Sequence, residues 1–386
     1  MQETLAEANL SAPTNSAPNA APYAAPNTAT DAATSETVMP PCAPISAAAT
    51  ALAARHLGDV IGIAIEYTPQ QQAVVVSDAR CPLAATLTAA YRSCLPGALF
   101  IDFDSVAPAQ ILSTLTALKP GDLVVLVQSS SFRLDAYRLR VELFKLSLKV
   151  IEHAHLGRMP GAESLCYIDG LAYDPAYYRV IGPALKQRID AANSAVVDSG
   201  GALLRFDSPL ESAKINIGDY RDMHNVGGQF PIGEVFTEAQ NLEAVHGRVR
   251  IFVFGDTEFC VNKPAQPITL VIEAGRVIEV IDSTPEFDAV LALIRAAEGE
   301  IWLRELGFGM NRAFSRDQLV RDIGTYERMC GIHLSLGAKH GVYNKPGFKR
   351  RDTRFHVDVF AVTEAVFLDN EQVYRDGAWQ VESQPA

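Results

Sequence analysis

DLVVLVQ, residues 122–128, places an unbroken aliphatic run between two polar residues. A strand with one wet face alternates apolar and polar positions, whereas a strand apolar at every position is covered on both faces. Upstream, GALFIDF (97–103) and QAVVVSD (72–78) share this character, and VIEHAHL (150–156) continues it downstream. Helical patterns over 82–95, 107–118 and 136–147 lie between them. Strands separated by helices of this length predict a mostly parallel sheet with helices on both faces. Residues 46–210 are therefore read as an α/β domain. No turn in it carries GxGxxG or a Walker lysine, so a nucleotide site has no support in the residues.

Beyond residue 211 the pattern changes. KINIGDY, RVRIFVFGD, ITLVIEAGRVIEVI, HVDVF and AVFLD are short strand-like runs, and TPEFDAVLALIRAAE (284–298) is the one clear helix among them. Residues 211–386 are expected to form a β-rich α+β domain. Residues 1–45 are mostly Ala, Pro, Thr, Asn and Ser. They carry too little bulky apolar surface to offset the entropy of ordering, and are read as a disordered tail with no structural role for Cys42. Deleting the tail is expected to leave the melting temperature unchanged.

The chain has 386 residues, 48% hydrophobic and 20% charged, which suits a soluble globular protein with two cores. Its formal charge of −12 argues against a nucleic-acid partner, which requires a basic footprint. No apolar run is long enough for a membrane span, and MQETLAEANL lacks the pattern of a secretory signal. The six cysteines are scattered without a CxxC pair, so they are read as reduced thiols of a cytoplasmic protein. A homodimer is the expected assembly.

The residue types that carry chemistry gather in the second domain. In FHVDVF, His356 and Asp358 stand two apart, so on a strand they project from one face, as a shared metal ion would require. Glu305 opens ELGFGMN, where two glycines are read as a tight turn after the carboxylate. Glu327 and His333 bracket ERMCGIHLSLG, and Glu234 lies in PIGEVFT. Mixed oxygen and nitrogen ligands favour zinc, manganese, cobalt or iron over magnesium or calcium. Each residue also has a plain alternative: a surface or capping role for Glu305 and Glu327, a satisfied core position for His333. His153 and His155 share a strand face with no carboxylate following, and are read as structural.

GGQFPIGEVFTEAQNLEAVHGRV, ELGFGMNRAF, GIHLSLG and FHVDVF, in this order, resemble the thermophilic-type metallo-aminopeptidases of the aminopeptidase T and S family, above all its leucyl-aminopeptidase-like branch. The resemblance implies two divalent ions held by Glu234, Glu305, Glu327, His333, His356 and Asp358. The spacing of Glu327 to His333 departs from the family. So does His340, which stands where the family has a tyrosine, with Tyr343 nearby. The resemblance implies a metallohydrolase that turns an activated water on an amide or peptide bond of a small molecule or short peptide. Glu234 or Glu327 would serve as general base, and His340, Lys339 or Arg354 would steady the oxyanion.

HVD and GFG also resemble the 2,5-dihydroxypyridine 5,6-dioxygenases of the same fold. That alternative implies one Fe(II) on Glu305, His356 and Asp358 and ring cleavage by oxygen. Those enzymes have a histidine where Glu305 stands and no counterpart of Glu234, which favours the hydrolase. A specialised biosynthetic enzyme or a binding protein on the scaffold is the third reading.

Overall fold

The aliphatic runs become strands. In the computed structural model, which describes residues 42–132, 134, 139–349 and 352–381, Ala73–Ser77, Leu99–Asp102, Leu123–Val127 and Lys149–His153 pair in parallel. Their side chains alternate between two cores. Val74, Val76, Val124 and Leu126 pack with Ile111, Leu115, Leu139 and Leu143 of the helices Pro108–Thr116 and Leu139–Lys145. Val75, Val125 and Ile151 pack with Ala53, Leu57, Leu83 and Leu87 of Ala47–Asp59 and Pro82–Cys94. Each such valine, leucine or isoleucine contributes about 1.5–3 kcal/mol by leaving water.

The parallel sheet gains a fifth strand, Gly227–Gln229, beside Lys149–His153. The order Leu99–Asp102, Ala73–Ser77, Leu123–Val127, Lys149–His153, Gly227–Gln229 has its switch point between the strands that end at Ser77 and Val127, where ligands of such sheets bind. Protein groups fill that point here: buried Asp78 accepts from the Ser129 and Arg80 amides at 3.0 and 3.3 Å.

The second sheet has fourteen strands, antiparallel throughout. The helix Pro285–Glu298 covers part of it, with Phe287 against Phe254 at 4.8 Å between ring centres. EAGR makes a hairpin turn, with Ala274 and Gly275 both at positive φ. Sheet membership crosses the division expected near residue 210. Ala195–Asp198 and Leu203–Phe206 belong to the large sheet, while Gly227–Gln229 belongs to the small one. Strands of three or four residues carry too little periodicity to announce their partner, and Gly-Gly-Gln carries none.

Residues 1–41 of the expected tail lie outside the described residues, as do 136–138 of the expected helix 136–147. Residues 42–45 are attached to the body: the Cys42 amide donates to Ala79 O at 2.7 Å and the Ile45 amide to Thr86 Oγ1 at 2.9 Å. Residue 42 is thus tied to the body through its backbone, and its Sγ donates to Arg80 O at 3.4 Å. All six cysteines are free. Among the described residues no helix is long and apolar enough to cross a membrane.

His153 is structural, as its surroundings in sequence suggest. It is fully buried between two tyrosine hydroxyls, Nε2 at 2.7 Å from Tyr91 Oη and Nδ1 at 2.8 Å from Tyr167 Oη. Tyr167 donates its proton to Phe230 O, so it accepts from Nδ1–H, and Tyr91 donates to Nε2. Burial pushes the imidazole down to about 3. Because the folded value lies below the ordinary 6.5, the neutral ring's stabilisation is complete above pH 6.5 and is lost as pH falls toward 3. The loss is on the order of 5 kcal/mol. Replacing His153 with Gln should flatten the fall in melting temperature between pH 6.5 and 4. Equal slopes for variant and wild type would exclude His153 as the source.

Candidate metal centre

Register brings the candidate ligands together. Four neighbouring antiparallel strands, Glu234–Glu238, Leu303–Gly309, Gly331–Leu336 and Val357–Ala361, lie side by side. Gly309 pairs with Glu234, Gly307 with His333, and Ser335 with Asp358. Directly opposed residues share a face, so Glu234, Glu305, His333 and Asp358 all project from the same side. One residue's slip in any pairing would turn a ligand away.

The two glycines of ELGFGMN do not form the expected turn. Both lie within the strand Leu303–Gly309. A Cβ on Gly307 would stand 2.0 Å from His333 Nε2, and one on Gly309 would stand 1.9 Å from Met329 O. Gly307 makes room for the imidazole of the neighbouring strand, and Gly309 for the backbone that follows Glu327 and Arg328.

Glu234 Oε1 and Glu305 Oε1 lie 3.3 and 3.2 Å from His333 Nε2, and all three residues are buried. Glu305 Oε2 is 3.0 Å from His340 Nε2. His340 Nδ1 accepts from the amides of Val342 and Tyr343 at 3.2 and 3.4 Å, so the neutral ring carries its proton on Nε2. His340 is an N–H donor aimed at the centre and no metal ligand. Beside these residues, His356 Nε2 lies 3.1 Å from Asp358 Oδ1. His356 Nδ1 is 3.2 Å from Lys339 O; since a carbonyl only accepts, this nitrogen carries the proton and Nε2 is left to bind a cation.

Electrostatics follow from crowding. Burial pushes the Glu305 carboxyl up, but the imidazoles of His333, His340 and His356 outweigh it and hold it well below the carboxylate range. Burial opposes protonation of His333, yet Glu234 and Glu305 carry its pKa well above the usual value. Burial likewise opposes protonation of His356, and Asp358 carries it up to about 10. Glu327 goes the other way: burial, then the charges of Asp358 and Glu234, raise its carboxyl well above the ordinary range despite Arg328.

Sequence reasoning missed two arginines. Arg328 is buried, its Nη1 3.2 Å from Glu234 Oε2 and in contact with Glu327 Oε2. Arg304, also buried, holds Glu238 through Nε at 2.7 Å and Nη2 at 3.0 Å. It also donates to the carbonyls of Ala338 and Tyr343, which flank His340 and fix its loop. An arginine beside a candidate ligand, as in Glu327-Arg328, was the available signal. Of the other predicted oxyanion groups, Lys339 gives its backbone carbonyl to His356, and Arg354 is exposed with its amide toward Glu298. Tyr343 donates its hydroxyl to Ser212 O.

The centre fits a metal ion. Ligand atoms of Glu234, Glu305 and His333 lie within 4.8 Å of one another. Ligands at about 2.05 Å in a tetrahedral site stand about 3.3 Å apart, matching the 3.2 and 3.3 Å found here. Asp358 Oδ1, a buried acceptor without an aligned hydrogen-bond partner among the described residues, also lies here. Such an acceptor calls for an explanation, and a cation is the simplest.

Gly307→Ala tests the geometry. The added methyl must displace the His333 ring, so metal affinity should fall by about tenfold to a hundredfold. Overpacking should cost only about 1–3 kcal/mol, leaving the protein folded. Calorimetric metal titration and a melting curve measure the two effects. Unaltered affinity would mean that His333 does not bind the ion.

No protein-family model matches the sequence, and no curated protein does. Among solved structures, the chain is similar to wild-type AmpT, the aminopeptidase T of Thermus thermophilus, with a TM-score of 0.54 and 14% identity. The match covers 86% of this chain and 99% of that one. At this identity the likeness is one of fold.

Proposed function

We propose that the chain is a metal-dependent hydrolase acting on an amide or peptide bond of a small-molecule or short-peptide substrate. The observation that carries this reading is the buried Glu234–Glu305–His333 trio with the His340 N–H aimed at the same point. The fold shared with an aminopeptidase supports it. The mixed carboxylate and imidazole ligands suit zinc, manganese or cobalt. A bound dication there supplies Lewis acidity, acidifying water and polarising a carbonyl.

The remaining roles belong to side chains. Glu305 stays anionic among its imidazoles and anchors the charge of the site. Glu327, whose carboxyl binds protons more tightly than usual, is suited to take a proton from water and return it to the leaving amine. His340 offers a hydrogen bond to the oxyanion from Nε2, in a setting where few water molecules compete. The ring-cleaving iron alternative calls for two histidines and one carboxylate around the ion, whereas the trio here has two carboxylates and one histidine.

The test uses protein loaded in turn with zinc, manganese and cobalt against a panel of aminoacyl anilides and small amides. His340→Phe should lower kcat by about a hundredfold to a thousandfold while leaving bound metal unchanged. Glu305→Gln should lower both. A panel with no hydrolysis, together with oxygen consumption on a hydroxylated pyridine by the iron-loaded protein, would replace this reading with the dioxygenase.

A further inference from the structure

We infer that the centre is built for one divalent ion, and that the guanidinium of Arg328 takes the place of a second cation. The inference rests on the hydrolase reading only in requiring that a metal binds.

Glu234 faces two partners at once. Its Oε1 joins Glu305 and His333, while its Oε2 lies 3.2 Å from Arg328 Nη1. The same nitrogen contacts Glu327 Oε2. A second ion would need a second set of ligands. His356 and Asp358 would supply two of these, and Glu327 and the outer oxygen of Glu234 are carboxylate oxygens that could add to them. Arg328 holds both. A guanidinium is charged at every accessible pH, so a dication on those oxygens would meet a fixed like charge. Among the described residues only Glu234, Glu305 and His333 reach metal-ligand spacing.

Arg328 is also built in rather than draped. Its carbonyl accepts from the Asn311 amide at 2.7 Å, its amide donates to Thr325 O at 3.3 Å, and the Glu327 amide donates to Ile323 O at 3.0 Å. A Cβ on Gly309 would collide with Met329 O and approach the Arg328 carbonyl carbon at 3.0 Å. The strand gives up a side chain at that position, and the space is filled by the segment that carries the arginine.

Counting bound ions separates one site from two. Metal-free protein is dialysed against Mn(II), and bound metal is measured by plasma emission and by electron paramagnetic resonance. Wild type should retain one tight ion per chain with an uncoupled six-line spectrum. Arg328→Gln, which frees both carboxylates, should retain two and show exchange coupling; Arg328→Lys, which keeps the charge, should retain one. Two tight ions in wild type would overturn the inference and leave the hydrolase reading standing. No tight ion in wild type would overturn both. A folded Arg328→Gln that still binds one ion would also overturn it. Should that variant not fold, the wild-type count and the count for Arg328→Lys decide: one ion in each upholds the inference, and two in either overturns it.

Discussion

Four carboxylates, Glu234, Glu305, Glu327 and Asp358, are buried in one patch of sheet, and the arrangement around them answers their repulsion. Two like charges about 4 Å apart at an effective dielectric of about 20 repel by about 4 kcal/mol. Each carboxylate accordingly has a positive or proton-bearing neighbour: His333 and His340 for Glu305, Arg328 for Glu234 and Glu327, His356 for Asp358. Where the compensation falls short, at Glu327, the group shifts toward its neutral form. A region so costly to bury makes a poor contributor to stability. The surrounding aliphatic core, including Leu306, Phe308, Ile332, Leu334 and Val359 on the opposite side of the same strands, carries that cost.

The sheet solves a packing problem alongside the charge problem. An imidazole lying flat across its neighbouring strand needs a position with no side chain, and Gly307 supplies it. Gly309 does the same for the backbone that delivers Glu327 and Arg328. The short sequence GFG is therefore a pair of openings two residues apart, with Phe308 between them turned into the core. Arg304 and Glu238 add a buried ion pair that ties the His340 loop to the strand beside Glu305.

Much of this is legible in the residues themselves. Runs such as AVVVS and LVVLV carry their burial on every residue, so the parallel sheet can be read directly, as can the helix that opens at Thr284 with its cap and proline. The candidate ligands are legible through residue type and a resemblance of motifs, and the register of four neighbouring strands then explains why residues far apart in sequence meet. Less legible are features that depend on a partner in space. The glycines of GFG look the same in a turn as in a strand interior. Arg328 reads as a surface charge until the two carboxylates around it are seen. Gly227–Gln229 has no pattern of its own, and its place beside Lys149–His153 is set by that strand's open edge.

The exchange of strands between the sheets has a kinetic side. Ala195–Asp198 finds one partner almost at once in Leu203–Phe206, but its other edge stays open until Ala365–Leu368 exists. At about 5–20 residues per second, a nascent chain spends roughly ten to thirty seconds bridging that interval. During that time an apolar strand edge faces solvent, ready to pair with another chain. The parallel sheet likewise waits for Gly227–Gln229 before its own edge is closed. Vectorial synthesis thus leaves this protein exposed for longer than its pairwise contacts suggest, and the part of the centre contributed by His356 and Asp358 is among the last to arrive.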